Sequence, residues 1–108
     1  MSTRVNYLYR DADNYKQYNT AVLKGEPAAG MAEEIMRCLH HGEWFIPRQV
    51  GLPEERFPDS PTEADHCWFE WNGLDADTEE PTIDLTIEQL IENFRASRQA
   101  WDDVRYAI

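Results

Sequence analysis

The sequence predicts an α+β fold: a small antiparallel sheet with two helices packed on one of its faces. Three observations predict it. Short runs of alternating apolar and polar residues occur near the N-terminus and again near residue 70. Two other stretches space their apolar residues as one face of a helix. The segments between these runs are too short and irregular for repeated βαβ units. A chain of 108 residues with 42% hydrophobic content is expected to fold as one domain, 1–108, around one modest core.

The elements follow in order. In TRVNYLYR (3–10), Val5, Tyr7 and Tyr9 alternate with Asn6, Leu8 and Arg10, the period of a strand. DADNYKQ supplies turn residues and QYNTAVLK (17–24) reads as a second strand, so a hairpin with a loop of about seven residues joins them. After Gly25, Pro27 and Gly30, the residues Ala32, Ile35, Met36 and Leu39 fall on one helical face. Gly42 then marks the helix end, placing Arg37 to His41 in its last turn. EWFIP gives a short extended segment, and the prolines from Pro47 to Pro61 keep 47–62 mostly irregular. EADHCWFEW (63–71) alternates again, with Cys67, Phe69 and Trp71 opposed to His66, Trp68 and Glu70. NGLDADTEEP reads as an acidic loop. Thr86 and Gln89 form a capping box, Leu85 and Leu90 can make a hydrophobic staple, and a helix is expected from Ile87 to about Trp101. Its apolar face is Ile87, Leu90, Ile91, Phe94 and Trp101.

Charge is the strongest functional signal. The net charge is −11, and residues 54–92 hold thirteen acidic side chains against one basic, Arg56. The other residues carry eight acids and nine bases. A field of this sign repels nucleic acid and anionic membranes and attracts basic protein surfaces. No apolar run nears the roughly 18 residues that cross a bilayer. The N-terminus lacks the order of a secretory signal, so a cytoplasmic location and reduced thiols at Cys38 and Cys67 are expected.

Cys38, His40, His41, His66 and Cys67 are all competent zinc ligands. Their spacing is unlike that of a finger or ribbon, and neighbours in a strand point to opposite faces. Helix-end histidines and buried cysteines account for them more simply. DADTE (75–79) imitates the start of a calcium loop, but Glu80 stands where that loop needs glycine and Thr86 where it needs glutamate. Asp11, Asp13, Tyr15 and Lys16 could be arranged as an acid–base pair, as could many polar loops. No nucleophile elbow, phosphate loop or dinucleotide fingerprint is present. No cofactor is therefore expected, and the reading is non-enzymatic.

The remaining signal is apolar residues set among acids. An irregular segment cannot bury Trp44, Phe45, Ile46, Val50, Leu52 and Phe57 together with its backbone groups satisfied. Some of Val50, Leu52, Phe57 and Trp68 are thus expected at the surface as anchors, rimmed by Glu54 and Glu55. The carboxylates of Asp75, Asp77, Glu79 and Glu80 would steer encounter.

YRDADNYK (9–16) and GEWFIPRQVGLP (42–53), followed by EADHCWFEW, resemble motifs of a family of small acidic proteins of bacteria and their phages, mostly uncharacterised. The likeness spans about residues 5–71. It implies a prokaryotic or phage origin and a cytosolic location, and assigns no site residue.

Taken together, these features predict an acidic interaction protein that occupies a basic protein surface, without direct contact to nucleic acid or membrane. An inhibitor or immunity-type protein acting on nuclease or nucleic-acid-binding machinery fits that description, and homo-oligomerisation is left open. The alternative is a small metal-binding or catalytic protein built on the Cys/His cluster.

Overall fold

The computed structural model describes residues 1–56 and 65–107. Among them, four strands form one antiparallel sheet in the order β2-β1-β4-β3, accompanied by three helices. The α+β architecture is the one the sequence predicts. The strands are β1 (Ser2–Arg10), β2 (Lys16–Lys24), β3 (Trp44–Phe45) and β4 (Phe69–Asp77). The helices are α1 (Met31–Cys38), α2 (Pro47–Val50) and α3 (Ile87–Ser97).

Strands β1 and β2 pair along their whole length, from Ser2 opposite Lys24 to Arg10 opposite Lys16. The hairpin loop is only 11–15, shorter than expected, because the Asp11 carboxylate accepts backbone N–H groups from Asp13 and Tyr15 and tightens it. Val5, Tyr7 and Tyr9 of β1, Ala21 and Leu23 of β2 and Phe69 of β4 enter one apolar cluster with Ile35 of α1 and Ile87, Leu90, Ile91 and Phe94 of α3. The α3 cap is realised in full. Thr86 Oγ1 accepts from the Gln89 amide at 3.1 Å, and the Thr86 amide donates to Gln89 Oε1 at 2.9 Å.

Several expectations are corrected. Residues 72–77 are strand, not loop. Their alternation is hidden by a bulge: Val5 faces Leu74 and Tyr7 faces Trp71, so three steps of β4 oppose two of β1. Gly73, at φ 107°, supplies the backbone conformation this needs, and Trp71 and Leu74 both turn to the core. The strand expected over 63–71 begins only at Phe69, and residues 63 and 64 lie outside the described residues. Within 47–62, Pro47 opens α2 from the first helical position and Gly51 closes it at φ 91°.

Helix α1 buries Met31, Ile35 and Cys38, whereas Met36 is 52% exposed. It stops at Cys38, and His40 and His41 lie beyond it in a hairpin turn. His41 and Gly42 take φ of 52° and 72°, the consecutive left-handed pair of a primed turn, while the His40 amide donates to the Trp44 carbonyl at 2.7 Å. Helix α3 ends at Ser97, so Trp101 packs from the segment after it.

Candidate functional site

Strand β1 spans roughly 27 Å at the usual strand rise, and the two candidate surfaces lie at its opposite ends. At the Ser2 end the bulge places Asp75 opposite Arg4 and Asp77 opposite Ser2. Arg4 Nε donates to Asp77 at 2.7 Å, and its Nη2 meets Glu79 at 2.8 Å. Asp77 also accepts the amides of Thr78 and Glu79. These amides, the Glu79 one first, and the Arg4 guanidinium hold its carboxyl below the ordinary range. Ser2 Oγ donates to the Asp77 and Glu79 carbonyls and ties the strand end down.

The start of α3 adds to the same end. Lys24 bridges to Thr86 and pairs with Asp84, whose side chain is 94% exposed, and the Glu88 carboxylate lies over Gly25. Asp75, Glu79, Glu80, Asp84, Glu88 and Glu26 are thus exposed near two bases, Arg4 and Lys24, both already in ion pairs, while Asp77 is turned to Arg4 and the backbone. Asp75, Asp77, Glu79 and Glu80 lie near one another, two of them on a strand and Asp77 structurally engaged. Asp84 and Glu88 are additions. Their only sequence signal was membership of the acidic segment, because their place beside β2 comes from a long-range pairing.

Two of the expected apolar anchors, Val50 and Leu52, do not reach the surface, whereas Trp68 lines a cleft. Val50 is fully buried and Leu52 is 3% exposed, both in the core. Helix α2 satisfies the local backbone that an irregular segment would have left open, which allows this burial. Phe57 lies outside the described residues.

Glu54 is also not a free rim carboxylate. Its side chain is 3% exposed and meets Arg56 Nη2 at 2.7 Å and Arg48 Nε at 3.2 Å. The Arg56 contact lacks the alignment of a hydrogen bond and acts through charge. The same guanidinium lies over the Tyr9 and Phe69 rings, 5.3 Å from each centroid. Glu55 exposes its side chain, while its backbone is clamped at both N–H and C=O by the Asn19 amide.

At the Arg10 end lies a cleft of about 510 Å³. Trp68, half-buried, lines it together with His40, His41, Trp44 and His66. His40 stacks on His41 at 4.0 Å and on Trp68 at 4.6 Å, with interplanar angles of 19° and 23°. His66 has both nitrogens engaged: Nδ1 accepts the Trp68 amide at 3.1 Å, and Nε2 donates to the Arg10 carbonyl at 2.7 Å. That arrangement fixes one neutral tautomer and leaves no lone pair for a metal.

Cys38 and Cys67 are buried, and burial pushes both thiols up, away from the thiolate a metal requires. The structure thus brings the three histidines to one cleft without pointing them and the cysteines at a common centre. Among the described residues, no group of three or more His, Cys, Asp or Glu side chains is placed to hold a metal ion. Asp11 serves the hairpin loop through its carboxylate, and it makes no catalytic pair with Lys16 in any described contact. No helix among the described residues is long and apolar enough to cross a membrane. No family model, curated protein or solved structure matches the chain.

Proposed function

We propose that this chain is a non-enzymatic acidic interaction protein that sets the Ser2 end of its sheet against a basic surface of a macromolecular partner. One observation carries the reading: six exposed carboxylates, Asp75 of β4, Glu79, Glu80, Asp84 and Glu88 of the 79–88 segment and Glu26, gather at this end, and both nearby bases are already paired. Fields of one sign concentrated on one surface raise association rates with oppositely charged partners. The partner class that best suits such a surface is a nuclease or another nucleic-acid-binding protein, whose basic groove would accept carboxylates where phosphates otherwise sit. An inhibitor or immunity-type role follows from that competition.

The test uses immobilised full-length protein and a variant with Asp75→Asn, Glu79→Gln, Glu80→Gln and Asp84→Asn, exposed to lysate at low salt and eluted with a salt gradient. Asp77 is kept because its carboxylate holds backbone amides. Basic proteins retained by the wild type and lost by the variant support the proposal. Capture of the same proteins by both makes the acidic end a solubilising surface and overturns it.

A further inference from the structure

The cleft at the Arg10 end is separate from the acidic end and independent of its role. Its wall is a slab of three nearly parallel rings, in which His40 lies between His41 and Trp68. Trp44 meets His41 edge-on, at 60° and 6.1 Å, and closes one side. Stacking covers both faces of His40, so the slab offers a partner only the outer faces of His41 and Trp68, and an indole face carries negative potential and attracts cations.

The charged groups around the slab differ in how far they are committed. Arg10 is paired with Glu70 at 2.8 Å and also donates to Asn14. Asp11 accepts two backbone amides of its own loop. Glu43, on the hairpin turn beside the rings, is exposed and has no side-chain hydrogen bond or ion pair among the described residues. The cleft therefore offers one uncommitted carboxylate, among the described residues, next to the ring slab, and the Arg10 that also lines it is already neutralised. Charge complementarity calls for a cation.

The shape of the slab selects the kind of cation. A quaternary ammonium is held best by rings meeting at steep angles around a sphere, and it cannot hydrogen-bond a carboxylate. A primary ammonium is compact and strongly hydrated. A guanidinium is flat and weakly hydrated, stacks on parallel ring systems, and presents a fork that matches one carboxylate. We infer that this cleft binds a guanidinium group of the arginine side-chain class, stacked on an outer face of the His41–His40–Trp68 slab and hydrogen-bonded in bidentate fashion by Glu43.

The experiment titrates N-acetyl-arginine amide into the full-length protein at pH 8, following the indole N–H and imidazole signals by NMR. N-acetyl-lysine amide and N-acetyl-trimethyl-lysine amide serve as comparison ligands. The arginine derivative should shift the Trp44, Trp68 and His41 signals saturably, with a Kd on the order of 1–10 mM, the weak range of a single side chain. Trp71, turned to the core, should stay in place and report an intact fold. Glu43→Gln should weaken binding about tenfold, since a charge-assisted pair becomes a neutral one. Glu80→Gln at the far end should leave binding unchanged. Absence of a saturable shift, equal binding of the lysine derivatives, or an unaltered Kd in Glu43→Gln with Trp71 in place would each overturn the inference.

Discussion

The two ends of β1 are built in contrasting ways. At the Arg10 end the surface is an outcrop of the core: Phe94 packs on Phe45, Trp71 and Trp101, Trp101 touches Trp68, and Trp68 carries the histidine stack. At the Ser2 end the carboxylates stand away from the apolar cluster and are placed by Arg4, Lys24 and backbone amides. The first surface is therefore rigid and coupled to stability, whereas the second can change its charge with little effect on the fold. The contrast also shows that membership of an acidic segment does not define a role. Glu54 and Glu80 share the segment, yet the first is held under two arginines and the second faces solvent.

Truncating Phe94 should break the contrast most severely. Phe94→Ala is expected to cost roughly 3–5 kcal/mol, as for other buried aromatics, and to disturb the Trp68 signals through Trp101. Chemical denaturation followed by indole NMR measures both effects, and a loss under 1 kcal/mol would mean that the aromatic end stands apart from the core. Glu54→Ala should rank next, at about 1–3 kcal/mol, because it leaves the half-buried Arg56 without its carboxylate. Urea unfolding measures that loss, and restoring the acid as Glu54→Asp should recover only part of it.

A smaller effect is expected from pH. The folded-state pKa of Asp77 is depressed, so its contribution is present above its unfolded value. It is lost as pH falls below about 4 and through the lower folded value. Glu34, held down chiefly by Arg95, and Asp84, by Lys24, act in the same direction. Asp77→Asn should therefore lower stability at neutral pH and flatten the acid limb of a thermal-stability profile. An unchanged acid limb would show that the Arg4 cluster contributes nothing to folding.

Much of this architecture was legible in the sequence because the signals were local. The β1–β2 hairpin follows from period-two alternation, and α3 from a capping box fixed by Thr86 and Gln89. What was missed depended on distant partners. The bulge at Gly73 shifts the phase of β4 in mid-strand, so Trp71 and Leu74 share a face that a constant period assigns to opposite sides. Val50 and Leu52 looked exposed because a four-residue helix opened by Pro47 gives no periodic signal. The histidines were visible as a group, but the stacking of His40 on Trp68 depends on a turn meeting the residue before β4, more than twenty positions away. The acidic excess was plain, whereas its division into pinned and free carboxylates required the positions of Arg4, Lys24, Arg48 and Arg56.

The most direct test of the account is the association rate of the partner recovered at the acidic end, measured for the wild type and the four-site variant across a range of salt. Neutralising Asp75, Glu79, Glu80 and Asp84 should leave the protein folded, because the ion pairs it removes, Glu79 with Arg4 and Asp84 with Lys24, lie at the surface. At about 0.01 M ionic strength the variant should associate roughly tenfold more slowly. The two rates should converge as salt rises past about 0.15 M, where the screening length falls to roughly 8 Å, and dissociation should change little. Equal association rates and equal salt dependence for the two proteins would contradict the steering role and leave the acidic end as a surface that only keeps the protein dispersed.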